Sequence, residues 1–308
     1  MAGTDYVGRS GISRPPDGPL SPVENLIFDV GLNIGQDTGF YLSQGYQVLA
    51  IEADPTLAAA ARNRFHREIS EGRLEVLNVG IAEKDGFADF WICEEKPEFN
   101  SFHRQIAARD SYSHHSTQIP VLRFASIIER YGIPHFLKID IEGNDMLCLD
   151  ALNPSALPKY ISVESECPLD EQSGSVEDRL RTLQKLASLG YNRFKLIDQY
   201  SFCSLSLPPS PYYWVDAFAR KTFNQPLLKN IRGLGLISRH LIMRSRLQGR
   251  FRWKFPTGSS GVWGEDTPGN WISYGEAEQA YRHYREKHFQ ASDRKFHSFW
   301  CDWHAKQQ

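Results

Sequence analysis

The stretch "FDVGLNIGQ" joins a carboxylate to a glycine turn, a combination that suits a small-molecule binding site. Asp29 lies near the end of an apolar run, and Gly31, Asn33 and Gly35 follow it. Glycine accepts positive φ angles and has no Cβ, so a ligand can approach the backbone at the start of the helix expected after the turn. We therefore expect these four residues to line a ligand site.

A second carboxylate, Glu52, indicates a ligand that contains adenosine. It ends the run "VLAIE" about 20 residues beyond the turn. A carboxylate at this position can accept hydrogen bonds from both hydroxyls of a ribose. Asn78, which ends "LEVLN", could contact the adenine or cap a turn, and the sequence favours neither role.

Two ligands of doubly wound folds contain this ribose, a dinucleotide and S-adenosylmethionine. The dinucleotide fingerprint is G-x-G-x-x-G, whereas this turn reads G-x-N-x-G and has Ile34 at the third glycine position. Asp29 would place a negative charge beside a pyrophosphate but matches the ammonium and sulfonium groups of S-adenosylmethionine. S-adenosylmethionine is therefore the predicted cofactor, and an NAD(P)-dependent oxidoreductase is the alternative enzyme.

Charged residues recur at period two in "FLKIDIEGND", although a central parallel strand is normally apolar on both faces. Lys138, Asp140 and Glu142 share one side of this strand. One interpretation is a buried ion pair between Lys138 and a carboxylate. The other is a general base, for which Asp140, Glu142 and Glu164, at the end of the next apolar run, are candidates. A metal site is the less favoured use of these carboxylates, and none is predicted.

Histidine is a further residue type that could act as a base or a metal ligand. His103, in "NSFHRQ", lies in a segment that could overhang the site and is a further candidate base. His114 and His115, in "SYSHHST", lack a partner at metal-ligand spacing, and we expect them in a solvated loop.

The elements that must position these residues alternate between strands and helices. This alternation predicts βα units and a mainly parallel, doubly wound α/β sheet over residues 25–204, with ligands at the carboxyl ends of the strands. The predicted strands are "LIFDV", "QVLAIE", "LEVLNVGI", "HFLKIDIE", "YISVESE" and "RFKLID". The predicted helices include "PTLAAAARNRFHREI" and "SVEDRLRTLQKLASLG", the latter between a Ser175/Asp178 capping box and Gly190.

The motifs "FDVGLNIGQ", "VLAIEADP", "LKIDIEGND" and "ISVE", in this order, resemble those of FkbM-type S-adenosylmethionine-dependent methyltransferases. The resemblance covers about residues 25–200. It implies a class I methyltransferase (Rossmann-like) fold and O-methylation of a hydroxyl on a sugar, polyketide or similar metabolite. Two positions depart from the family pattern: Leu32 stands where alanine is usual, and Ala125 where aspartate is common. The second departure removes any role of that aspartate here.

The remaining regions differ in composition from this core. Residues 1–24 are predicted to form a flexible tail, and residues 205–308 a C-terminal acceptor-binding or accessory region. From Ala217 to Gly264 there are ten Lys or Arg and no acid, which defines a basic block. Interleaved aromatic residues such as Trp253 and Trp263 could stack on sugar rings, and a second capping box, Ser273/Glu276, opens a helix predicted to run to about Phe289.

The basic block predicts an acidic or phosphorylated, carbohydrate-like acceptor, although a solvated face remains the alternative. Peripheral contact with a membrane is compatible with it, and nucleic acid is not expected because no such binding motif is present. A non-catalytic polyanion- or membrane-binding module with a degenerate Rossmann-like half is the non-enzyme alternative. Five scattered cysteines without CxxC spacing, and no long apolar segment, lead us to expect a cytoplasmic protein.

Overall fold

The computed structural model describes residue 12 and residues 22–166, 176–215, 218, 242–256, 258–287 and 299–308. Most of the predicted tail, Ser175 of the first capping box and the helix end near Phe289 lie outside these residues. So do Arg220, Lys221, Lys229, Arg232 and Arg239 of the basic block. No helix among the described residues is long and apolar enough to cross a membrane.

The described strands form two sheets. They are β1 (Pro22–Val30), β2 (Gln47–Ile51), β3 (Leu74–Leu77), β4 (Gly80–Ile81), β5 (Gly86–Cys93), β6 (His114–Leu122), β7 (Ile133–Ile139), β8 (Tyr160–Glu164), β9 (Arg193–Asp198) and β10 (Cys301–Lys306). The larger sheet has seven strands in the order β3-β2-β1-β7-β8-β10-β9, and the smaller has the order β4-β6-β5. The four neighbouring pairs β3–β2, β2–β1, β1–β7 and β7–β8 are parallel, whereas β10 is antiparallel to β9. This is the mainly parallel, doubly wound α/β sheet that the sequence predicts, with one antiparallel pair at its edge.

The parallel strands form where the sequence is largely apolar. Leu26, Ile27, Phe28 and Val30 of β1 are fully buried, as expected for a strand covered on both faces. In the register of the sheet, Asp29 lies between Ala50 of β2 and Lys138 of β7. The carboxyl ends of β1, β2 and β7 therefore meet at one edge, where the predicted ligand residues follow.

The described helices are α1 (Gln36–Ser43), α2 (Pro55–Arg64), α3 (His66–Ser70), α4 (Arg104–Ala107), α5 (Phe124–Tyr131), α6 (Asp145–Asp150), α7 (Val176–Arg179), α8 (Arg181–Leu189), α9 (Ile242–Phe251) and α10 (Tyr274–Lys287). Two predicted helices are each divided, one at Phe65 and the other at Leu180. The predicted ends hold elsewhere: α8 stops at Gly190, whose φ is 107°. At the start of α10, the Glu276 carboxylate accepts hydrogen bonds from the backbone nitrogen and hydroxyl of Ser273, at 2.8 and 2.7 Å.

The three-stranded sheet was not predicted. The run "LEVLNVGI" is divided at Asn78 and Val79, so that β3 joins the large sheet and β4 the small one. The prediction of a loop for His114 and His115 is wrong, because both lie in β6 opposite Cys93 and Ile92 of β5. A small apolar core of Phe90, Ile119 and Val121 holds this sheet together.

The chain divides into two compact units. The first contains the described residues up to Val163, and the second contains Glu164–Glu166 and the described residues from Val176 onwards. The strand β10, which no sequence pattern indicated, comes from the C-terminal region and is a member of the seven-stranded sheet. The four described cysteines are buried and form no disulfide with one another, and Cys167 lies outside the described residues.

Candidate functional site

The glycine turn after β1 is shaped by close backbone contacts. The backbone nitrogens of Gly31 and Leu32 donate to the Ile51 carbonyl at 3.0 and 3.1 Å, which fixes the turn against the end of β2. A Cβ on Gly31, whose φ is 91°, would lie 1.8 Å from the Asp140 carbonyl oxygen. At Gly35, whose φ is 76°, a Cβ would lie 2.7 Å from the Phe65 ring. Only glycine fits either position without movement of its neighbours.

Asp29 lies beneath this turn and is fully buried. One carboxylate oxygen accepts a hydrogen bond from the Thr38 hydroxyl at 2.6 Å, and the other from Lys138 Nζ at 3.1 Å. Burial would lower the pKa of Lys138, but the carboxylates of Asp29, Asp140 and Asp37 outweigh it and raise that pKa. Lys138 thus forms the buried ion pair considered from the sequence. The charge of Asp29 is compensated within the protein, which weakens the argument that matched it to a cationic ligand.

Glu52 directly follows β2 and holds the turn from the other side. Its two carboxylate oxygens accept from the backbone nitrogens of Asn33, at 2.7 Å, and Asp54, at 2.9 Å. Burial raises the pKa of Glu52 to about 7, against the lowering effect of these two hydrogen bonds. Each oxygen keeps capacity for a further hydrogen bond. The Asn78 amide nitrogen donates to the carbonyls of Glu52 and Ala53, at 2.9 and 3.2 Å, so Asn78 fixes the course of the chain beside Glu52.

Asp140 follows β7, and its backbone nitrogen donates to the Val30 carbonyl at 2.9 Å. Its side chain is 35% exposed, whereas that of Asp29 is fully enclosed. Burial raises the pKa of the Asp140 carboxyl, and Lys138, 3.8 Å away, acts in the opposite direction. The loop that follows is held by Asp145, whose carboxylate accepts from the backbone nitrogens of Ile141 and Gly143.

Glu142 and His103 meet in this loop. Glu142 has a left-handed φ of 51°, and its carbonyl accepts a hydrogen bond from the Ser101 hydroxyl at 2.7 Å. Ser101 also accepts from the His103 backbone nitrogen at 3.0 Å. The His103 ring nitrogen Nε2 lies 3.1 Å from Asn144 Oδ1. The structure therefore brings His103 against the loop that begins at Asp140.

Asn100 and Ser101, which no sequence pattern indicated, connect the chain after Glu52 with the loop after Asp140. The Asn100 amide nitrogen donates to the Asp54 carboxylate at 2.9 Å, and its oxygen accepts from the Cys93 backbone nitrogen at 2.8 Å. Asn100 and Ser101 are adjacent, so one short segment contacts both the chain after Glu52 and the loop after Asp140. Their only sequence signal is the polar pair "NS" before an aromatic residue, which is too common to be informative.

Two further predictions concern the second unit. Glu164 is the last residue of β8 and is half-buried.

Several arginines in the described part of the basic block form hydrogen bonds or ion pairs within the protein. Arg244 is 8% exposed and donates to the carbonyls of Tyr200 and Phe255, at 3.1 and 3.0 Å. Arg250 is paired with Asp266. Among the described residues no group of three or more His, Cys, Asp or Glu could hold a metal ion.

Residues 29–193 match the family model of the methyltransferase FkbM domain, which is more than half of the chain. No curated protein matches the sequence. Three solved structures resemble the fold. The O-methyltransferase from Bacillus cereus in complex with SAH is 15% identical, over 56% of this chain and 66% of that chain, at a TM-score of 0.32. Cofactor-bound Rv0187 from MTB is also 15% identical, over 56% of this chain and 65% of that chain, at 0.30.

The third structure, PKMT2 from Rickettsia typhi in complex with AdoHcy, is 11% identical, over 94% of this chain and 50% of that chain, at a TM-score of 0.32. The chain thus spans between half and two thirds of the length of these structures. At such TM-scores the superpositions carry no argument, so the fold assignment depends on the strand order of this chain.

Proposed function

Because this chain belongs to the FkbM methyltransferase family, we propose that it transfers the methyl group of S-adenosylmethionine to a hydroxyl oxygen of a small-molecule acceptor. One observation carries the proposal. The glycine turn and the carboxylate at the end of β2 are a single hydrogen-bonded unit, in which Asn33 donates to Glu52 at 2.7 Å. The buried carboxylate of Glu52 is thereby held beside the glycine turn.

The residues present fit an adenosine-containing cofactor. Glu52 has the two acceptor oxygens that a ribose diol requires. Gly31 and Gly35 let the turn pack closely against Asp140 and Phe65 just before α1, and Asn78 keeps the chain after Glu52 in place. Asp29 contributes indirectly, because it orders the turn through Thr38 and Lys138. The cofactor supplies an electrophilic methyl group, and the protein aligns the acceptor oxygen with it.

An alcohol is a weak nucleophile at neutral pH, so a base must take its proton as the oxygen attacks. Asp140 is the first candidate because its carboxylate is partly exposed at the carboxyl end of β7. Its raised pKa also makes it a stronger proton acceptor than an ordinary aspartate. Glu142, Glu164 and His103 are the alternative bases. Of these three, His103 is the weakest candidate, because its Nε2 is already in contact with Asn144.

The strand order argues against the alternative of an NAD(P)-dependent oxidoreductase. Dinucleotide-binding domains have six parallel strands in the order 3-2-1-4-5-6. Here β10 lies between β8 and β9 and is antiparallel to β9. The turn also lacks the third glycine of the dinucleotide fingerprint, since Ile34 occupies that position.

Calorimetric titrations with S-adenosylhomocysteine and with NAD test the cofactor. We expect binding of S-adenosylhomocysteine alone. Binding of NAD with higher affinity would contradict the proposal. The non-catalytic alternative predicts tight polyanion binding without transfer, so a heparin titration alongside a transfer assay separates it from the enzyme.

A further inference from the structure

Most of the exposed large hydrophobic side chains of this protein lie in one part of the second unit. The described part of the chain exposes eight such side chains, and six of them are Leu207, Tyr212, Trp214, Val215, Phe218 and Ile242. Single hydrophobic residues scattered over a surface are normal, whereas a group of them marks an interaction site. This concentration therefore calls for a partner.

A short helix in this part of the chain has one packed side and one exposed side. Residues 211–215 are helical, and so is Phe218. On the packed side, Tyr213 is 2% exposed, and its ring meets a tyrosine ring of α10 edge-on at 5.0 Å between centroids. Trp214 and Val215 precede Phe218 by four and three positions, a spacing that places all three on one face of a helix. These three exposed residues form what we call the outer face.

Positive charge lies beside the short helix. The Arg246 guanidinium lies over the Tyr212 ring, 4.9 Å from its centroid, and donates a hydrogen bond to the Tyr212 hydroxyl. This contact places α9 next to the short helix. Residues 242–256 contain four further Lys or Arg and no acid, and of these Arg252 and Lys254 are exposed. Exposed apolar side chains and exposed cations are therefore adjacent within the second unit.

This combination restricts the chemistry of the partner. The apolar side chains favour a partner that removes them from water, and the cations favour a negative charge. A second copy of this chain fits poorly, because a symmetric interface would bring the same cations together. Nucleic acid supplies the charge but no hydrocarbon in which Val215 can be buried. The surface of a bilayer that contains anionic lipids supplies both.

We propose that the outer face docks on the surface of an anionic lipid bilayer. Trp214, Val215 and Phe218 enter the boundary between headgroups and acyl chains, the region that tryptophan favours in membrane proteins. Arg246 binds lipid phosphate, since an arginine stem can lie along apolar surface while its guanidinium contacts an anion. The contact is peripheral, and it is independent of the proposed methyl transfer and of the acceptor.

Two substitutions test the apolar and the charged part of this contact, each with a matched control. Phe218→Ser is compared with Phe87→Ser, because Phe218 is 69% exposed and Phe87, on β5 of the first unit, is 61% exposed. Arg246→Gln is compared with Arg104→Gln, because Arg104 is also exposed and lies over an aromatic ring, that of Trp91, at 5.3 Å. All four variants change exposed side chains, so they should unfold close to the wild-type temperature.

Binding is measured by co-sedimentation of the protein with vesicles of phosphatidylcholine, either alone or mixed with phosphatidylglycerol. We expect the wild-type protein to bind the mixed vesicles in preference to the neutral ones, and to bind them more weakly as the salt concentration rises. Phe218→Ser should require about tenfold more lipid for half-maximal binding, and Arg246→Gln about fivefold more. Phe87→Ser and Arg104→Gln should match the wild type.

Three results would overturn the proposal. The first is that the wild-type protein does not bind the mixed vesicles. The second is that Phe87→Ser weakens binding as much as Phe218→Ser, which would show that the outer face is not the contact. The third is wild-type binding by Phe218→Ser together with full competition by heparin, which would indicate attraction to any polyanion, nucleic acid included.

Discussion

Replacement of Glu52 by glutamine changes the charge of the proposed ribose contact with little change in its shape. In the wild-type protein both carboxylate oxygens accept backbone hydrogen bonds, from Asn33 and Asp54. The amide nitrogen of glutamine cannot accept, so one of these two backbone donors loses its partner. The loss costs about 1–3 kcal/mol, and removal of a buried charge offsets part of it.

The effect on the cofactor should be larger. Hydrogen bonds to a charged group contribute about 1.5–3 kcal/mol, and about 1.4 kcal/mol corresponds to a factor of ten in affinity. We therefore expect Glu52→Gln to bind S-adenosylhomocysteine about ten- to a hundredfold more weakly than the wild type. The protein should remain folded, because the glycine turn keeps its hydrogen bonds to Ile51.

The raised pKa of Glu52, about 7, predicts how both properties depend on pH. Ribose hydroxyls donate to the ionised form, so wild-type affinity should fall by up to about tenfold per pH unit as the pH decreases below about 7. The stability of the ligand-free protein should change with pH in the opposite direction. A folded-state pKa above the unfolded value stabilises the ligand-free protein fully below about 4.5, and this contribution is lost as the pH rises through about 7. Glu52→Gln should lack both dependences.

Calorimetry at several pH values between about 5.5 and 8.5, with thermal unfolding of the ligand-free proteins, measures these quantities. Since the amino group of the ligand also titrates, the variant serves as the reference for the pH dependence. Wild-type affinity in a folded Glu52→Gln protein, with the same pH profile, would refute the assignment of Glu52 to the ribose.

Four further substitutions test the candidate base, the buried ion pair and the basic block. Asp140→Asn should retain affinity for the cofactor and lose about 10²–10⁴ in turnover, and near-normal turnover would exclude Asp140 as the base. Lys138→Met should destabilise the protein by about 3–5 kcal/mol in urea unfolding, since it leaves Asp29 as an unpaired buried charge, and a change below 1 kcal/mol would contradict this role. Arg244→Ala should destabilise the protein because buried carbonyls lose their donor. Arg250→Ala, at an exposed ion pair, should change stability by less than about 1 kcal/mol, and an equal effect of the two would show that burial does not distinguish them.

The large sheet and the turn could be predicted from the sequence because their signals are local. Largely apolar runs mark β1, β2, β7 and β8. The family suggested by four short motifs is confirmed by the match over residues 29–193. The strand β10 could not be predicted. Its sequence "CDWHAK" is polar, and its burial depends on packing against distant parts of the chain.

The same distinction applies to the site. Asp29, Gly31 and Glu52 lie at strand ends that the sequence marks directly. The contacts of Ser101 with Glu142 and of His103 with Asn144 each join residues 41 positions apart, and no local pattern indicates them. For Arg244 the local sequence was misleading. Its place in a basic sequence indicated an anion-binding surface, whereas backbone carbonyls surround it in the fold.

Transfer of a ¹³C-labelled methyl group from S-adenosylmethionine, followed by NMR of the labelled product, tests methyl transfer to oxygen most directly. The chemical shift of the methyl carbon identifies the atom to which it is bonded. We predict a product whose labelled methyl group is attached to oxygen, formed by the wild-type protein and lost in Asp140→Asn. A labelled methyl group on nitrogen, carbon or sulfur, or no transfer by a protein that binds S-adenosylhomocysteine, would contradict the account.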